Sequence, residues 1–65
     1  MTIKQQVQQF FAENKSENYT YFQVSEALGL NKSRVKTACD KLADENILRW
    51  RYDSFVVEYR WNEYQ

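Results

Sequence analysis

The chain has 65 residues, nine Lys or Arg against nine Asp or Glu, and zero net charge; this allows one domain around one core, and neutrality counts against a strong non-specific nucleic-acid binder, which is usually basic overall. One cysteine, Cys39, and no histidine exclude an internal disulfide and leave no metal centre or cofactor to expect, a pattern that fits a reducing cytoplasm. The apolar residues are dispersed along the chain, so neither a membrane span nor a signal peptide is expected.

Thr2 and Gln5 form a T-x-x-Q capping box, in which each side chain satisfies a free backbone donor of the other residue. Ile3, Val7, Phe10 and Phe11 then recur on one helical face, predicting a helix over residues 3–13 that Asn14 closes in the left-handed conformation. Residues 14–18 are polar and read as a loop. Thr20 and Gln23 repeat the capping box, with Tyr19 and Val24 at the positions of a hydrophobic staple. The second helix spans residues 21–28, its inner face built from Tyr21 or Phe22 with Val24, Ala27 and Leu28. Gly29, the only glycine, suits a left-handed C-cap.

Asn31 caps a third helix over residues 32–45, with Asn46 in place of the glycine often found beyond a helix end. Val35, Cys39 and Leu42, flanked by Ala38, form its apolar stripe, which reads Cys39 as a buried small residue rather than a redox sensor. Lys32, Arg34 and Lys36 crowd the N-terminal end, where cations oppose the helix macrodipole. They make little sense for stability alone. With Ser33 and Thr37 they form a short basic, hydroxyl-bearing surface suited to a DNA groove. The plainer alternative is a solvated helix start, with Lys36–Asp40 and Lys41–Glu45 as i, i+4 pairs worth a few tenths of a kcal/mol.

From Ile47 the period changes to two, predicting a hairpin over residues 47–61. A two-residue Asp53-Ser54 loop pairs Tyr52 with Phe55, Trp50 with Val57 and Leu48 with Tyr59. It sets Arg49 against Glu58 and leaves Arg51, opposite Val56, free to meet a phosphate. Asp-Ser is a weak turn signal, so a four-residue loop is the alternative. Trp50, Tyr59 and Trp61 share a face with Leu48 and Val57, which reads them as core before a stacking platform. Tyr64, with Trp61, exceeds what so small a core can cover and hints at a dimer surface; residues 62–65 fray or meet a partner. No histidine, phosphate-cradling glycine loop or nucleophile beside a base is present, so the chain is not expected to be an enzyme.

Two short helices joined through Ala27-Leu28-Gly29-Leu30-Asn31, a basic third helix, and Asn46-Ile47-Leu48 running into a hairpin resemble the winged helix-turn-helix domain of bacterial and phage transcription regulators. The resemblance covers residues 20–61, with the first helix fitting by pattern. It implies an α+β, mainly α, fold: one domain over residues 1–65, three helices followed by a two-stranded hairpin wing. It further implies a double-stranded DNA partner, with the third helix in the major groove and the wing at the backbone or minor groove. By position, Lys32, Ser33, Arg34, Lys36 and Thr37 would face DNA, with Arg49 and Arg51 on the strand entering the wing. A module this small would gain specificity as a homodimer. The sequence departs from the pattern in two places: Asp40 and Asp44 lie on the outer face of the third helix, and the wing tip at Asp53-Ser54 is acidic. Both weaken the transfer; net neutrality, the acidic outer face after Thr37 and the aromatic C-terminus favour the alternative of a protein-interaction module, such as an adaptor or a phage-encoded inhibitor of a host protein. Single-strand or RNA binding through exposed aromatics ranks third.

Overall fold

The computed structural model describes residues 1–63. In chain order it contains α1 (Ile3–Glu13), β1 (Tyr19–Thr20), α2 (Tyr21–Leu28), α3 (Lys32–Asp44), β2 (Leu48–Asp53) and β3 (Val56–Trp61). Three helices and an antiparallel hairpin make this a winged-helix fold. The two residues of β1 extend the hairpin into a three-stranded sheet of order β1-β3-β2, an addition to the two strands expected. Tyr64 lies outside the described residues.

Local chemistry sets the helix ends. Both capping boxes form, Thr2 with Gln5 and Thr20 with Gln23. Gly29 closes α2 at φ 66°, and the backbone N–H of Leu30 reaches the Ser25 carbonyl at 3.0 Å. Asn46 takes φ 62° just past α3. Asn14 does not take the left-handed form; at φ −129° it ends α1 by donating from its side chain to the Phe10 carbonyl at 2.8 Å. In α2 the inner stripe runs through Tyr21, Val24, Ser25 and Leu28, while Ala27 and Phe22 are exposed. Ser25 can be buried because its hydroxyl donates to the Phe22 carbonyl at 2.8 Å, which removes the cost of an unpaired polar group.

The core joins all three helices to the root of the sheet: Val7 and Phe11 from α1, Val24 from α2, Val35, Cys39 and Leu42 from α3, then Leu48 and Tyr59. Tyr19 holds β1 against this core by packing its ring edge-on to Phe10, 4.9 Å between centroids.

The hairpin differs from the expected register. Its two-residue loop is Ser54-Phe55, closed by Asp53 opposite Val56, so Leu48 faces Trp61, Trp50 faces Tyr59 and Tyr52 faces Val57. Ser54 supplies the turn with φ 58°. The shift is two residues, which keeps every side chain on its expected face. Apolar alternation therefore could not distinguish the two registers. The hairpin also reaches beyond the helices that cover its root. Leu48 is buried, whereas Trp50 and Tyr52 are 62% and 66% exposed, so Trp50 is not a core residue. Asn62 does not fray: its N–H bonds the Ile47 carbonyl and its side chain bonds the Asn46 carbonyl.

Candidate nucleic-acid interface

The N-terminus of α3 is capped by Asn31, whose side-chain oxygen accepts from the backbone N–H groups of Ser33 and Arg34 at 3.0 and 3.3 Å. This fixes the first turn and presents Lys32, Ser33, Arg34, Lys36 and Thr37, all exposed, within two turns of helix. At about 100° per residue they do not form a single line. Ser33 and Thr37 run along the outer midline. Lys32 and Lys36 lie on the flank that faces the hairpin. Arg34 lies on the opposite flank with Lys41, toward Glu45, which pairs with Lys4 of α1 at 2.7 Å. The expected Lys41–Glu45 pair is thereby replaced by a longer-range one.

The two flanks differ in how far their cations are committed. The Lys32 ammonium sits 3.8 Å from the centre of the Phe22 ring, a cation–π contact that explains why Phe22 points outward. The Lys36 ammonium bonds Asp40 at 3.0 Å, the i, i+4 pair expected from spacing. Asp40 also accepts from the Tyr59 phenol at 2.5 Å. Burial alone would raise the Asp40 carboxyl, but the hydrogen bonds from Tyr59 and Lys36, with the charge of Lys36, hold it below its ordinary value. Asp40 is thus tied to the fold by two side-chain partners. Arg34 and Lys41 have no ion-pair partner among the described residues. Thr37 donates its hydroxyl to the Ser33 carbonyl at 3.0 Å, which leaves its oxygen free to accept.

Arg49 and Arg51 are not brought to this surface. Leu48, Trp50 and Tyr59 face α3, so Arg49 and Arg51 project from the opposite face of the sheet. There Arg51 bonds Glu58 at 3.2 Å and approaches Asp53 at 3.7 Å. Arg49 faces Arg60 instead of Glu58. The roles expected from sequence are exchanged: Arg51 is the paired arginine and Arg49 the open one. Among the described residues Arg60 and Lys41 are further cations without an ion-pair partner, and the sequence does not mark them out. Both were hidden because a strand register and a tertiary ion pair decide which charges remain open.

Between α3 and the projecting half of the hairpin lies a groove of about 660 Å³, lined by Phe22, Trp50, Phe55 and Val57, with Lys36 and Asp44 at its sides. Cys39 of α3 is fully buried. Burial pushes its thiol up to about 12, so it is protonated and unreactive at neutral pH. Among the described residues no group of His, Cys, Asp and Glu could hold a metal ion, and no helix is long and apolar enough to cross a membrane.

No family model and no curated protein matches the chain. Among solved structures, the ferric uptake regulator from Francisella tularensis, determined with iron, is similar over 100% of this chain with a TM-score of 0.81 and 17% sequence identity. This chain spans 54% of the length of that one. At that identity the likeness establishes the fold, and the fold is that of a winged helix.

Proposed function

We propose that this protein binds double-stranded DNA as a small sequence-specific transcription regulator, with the first two turns of α3 in the major groove. The observation that carries the reading is Arg34, exposed beside the Ser33–Thr37 midline and without an ion-pair partner among the described residues. An unpaired guanidinium at a helix start has no stabilising role to explain it, whereas it matches the acceptor edge of guanine or a phosphate. The likeness to a regulator's fold supports the same reading, and Lys32 and Lys36 add positive charge on the hairpin side. Arg49 and Arg60 are available to phosphates only if the duplex also touches the outer sheet face.

The test is a salt titration of binding to random and selected duplexes, with R34E and K32E beside the wild type. Binding should weaken steeply with salt, because neutralised phosphates release counterions. Each reversal should weaken it further while the protein stays folded: R34E should not lower the urea midpoint, because an acid in the first turn suits the macrodipole, and in K32E that gain offsets the lost contact with Phe22. A flat response would favour the second reading, a protein-interaction module. The specific support for that reading is the aromatic groove beside α3, with Phe22, Trp50, Phe55 and Val56 exposed.

A further inference from the structure

Among the described residues β2 is an edge strand, paired with β3 alone. The Asn62 N–H bonds the Ile47 carbonyl, which fixes the alternation of backbone groups along β2. Odd-numbered residues turn theirs toward β3, and Leu48, Trp50 and Tyr52 turn theirs outward. The protected alternative for such an edge is an inward-pointing charge, a bulge or a cover. Here the side chains beside the open groups are the exposed rings of Trp50 and Tyr52.

The charges on the strand are complementary to themselves when it is reversed. Arg49 stands at one end, facing the like-charged Arg60 within its own sheet. Asp53 stands at the other, where its one ion-pair contact among the described residues is the long 3.7 Å one to Arg51, which is already bonded to Glu58.

We propose that the β2 edge pairs antiparallel with the β2 edge of a second copy of this chain, about a two-fold axis through Arg51, joining Arg49 to the second copy's Asp53. This register exchanges backbone bonds between Trp50 and the second copy's Tyr52, residues whose groups both point outward, and it occurs twice by symmetry. The two aromatic side chains then stand directly opposite across the new strand pair. The arginines meeting at the axis are each neutralised by their own Glu58. Sliding one step sets Arg49 against the second copy's Arg51; sliding the other way sets Arg51, already bonded to Glu58, against the second copy's Asp53 and leaves Arg49 facing Phe55, still beside the like-charged Arg60. The contact is smaller than a standard interface of about 1,600 Å², so the dimer forms in a concentration-dependent manner. The proposal does not depend on DNA binding, and every measurement below is made without DNA.

Sedimentation equilibrium from micromolar to near-millimolar protein should show the 7.9 kDa chain passing to twice its mass. R49D and D53R should each remain monomeric where the wild type dimerises. An equal mixture of the two should restore the dimer, because each reversed charge meets its complement in the other chain. Circular dichroism confirms that the variants fold. In the wild type, amide exchange at Trp50 and Tyr52 should slow as concentration rises, while exchange at Arg49 and Arg51, already bonded to β3, should not. A wild type that is monomeric throughout, single variants that dimerise as well as the wild type, a mixture that does not associate, or exchange indifferent to concentration would each overturn the proposal.

Discussion

The Tyr59 phenol of β3 donates a hydrogen bond to the Asp40 carboxylate of α3 at 2.5 Å, and this side-chain bond ties the second strand of the wing to the second half of the helix that leads the candidate interface. Tyr59 is otherwise a core residue, 3% exposed. Its ring fills the space between sheet and helix while its hydroxyl reaches the half-exposed Asp40 carboxylate.

Removing that hydroxyl with Y59F should destabilise the protein by about 1 kcal/mol, less than is usual for a bond to a charged group, because about half of the Asp40 side chain is exposed. The effect should depend on pH in a defined sense. The Asp40 carboxyl is held below its ordinary 3.8, so its contribution is fully present above that value and is lost as pH falls through the folded value. Burial, then the bond to Asp40, raise the Tyr59 phenol, so its contribution is present below its ordinary 10.0 and is lost as pH rises through the folded value. Urea denaturation of wild type and Y59F across the pH range should therefore show the largest gap between about pH 5 and 9, closing at both ends. A gap independent of pH would show that only packing had changed.

Cys39 is fully buried among Val35, Leu42 and the rest of the core, and its thiol is pushed up to about 12 by burial first and by the Asp40 charge second. A thiol reagent at pH 8 should label it only through global unfolding. The labelling rate should track the stability measured with urea, falling roughly tenfold for each 1.4 kcal/mol. Fast labelling of a fully folded sample would contradict the burial of this side chain.

How much could be read from the chain follows from how local each determinant is. Thr2 with Gln5, Thr20 with Gln23, Gly29 and Asn46 act within a few residues, and they mark the helix ends as expected. The Lys36–Asp40 pair lies one helical turn apart and was legible for the same reason. The hairpin register was not, because a two-residue shift preserves the alternation of Leu48, Trp50 and Tyr52. The same periodicity shows which residues share a face and not how far the helices cover it, so Trp50 read as core is exposed. Burial of Ser25 depends on a hydroxyl reaching a carbonyl three residues back, which composition does not reveal. Within the candidate site, residue types were legible, and of their commitments only the one-turn Lys36–Asp40 pair was. Phe22 under Lys32, Lys4 against Glu45 and Arg49 against Arg60 all arise from tertiary placement.

The Arg49–Arg60 pairing carries its own consequence. Like charges directly opposite across two strands destabilise a sheet by a fraction of a kcal/mol. Replacing Arg60 with glutamate sets an opposite charge against Arg49 on the exposed face. R60E should raise stability by about 0.5 kcal/mol, seen as a higher urea midpoint with an unchanged slope. The gain should shrink in high salt, since both groups are exposed. A lower midpoint would mean that Glu58, two residues away on the same face, governs this patch more than Arg49 does.

Asp40 offers the sharpest separation of structural roles on α3 from the DNA contacts proposed for it. It bonds both Tyr59 and Lys36, and Lys36 is raised by the bond to Asp40 first and by its charge second. D40N keeps the shape of the side chain and an oxygen for the Tyr59 phenol, but removes the charge that holds Lys36. Stability should fall by about 1 kcal/mol, because a charged acceptor becomes a neutral one. Under the proposed DNA reading, duplex affinity should move the other way. The freed ammonium can reach a phosphate, adding about 0.9 to the magnitude of the logarithmic salt slope and tightening binding roughly threefold in low salt. Weaker and less selective binding by D40N would instead mean that the carboxylate itself accepts a hydrogen bond from a base, as from a cytosine amino group. Unchanged binding would place Lys36 away from the duplex and confine the reading surface to the flank of Arg34 and the midline of Ser33 and Thr37.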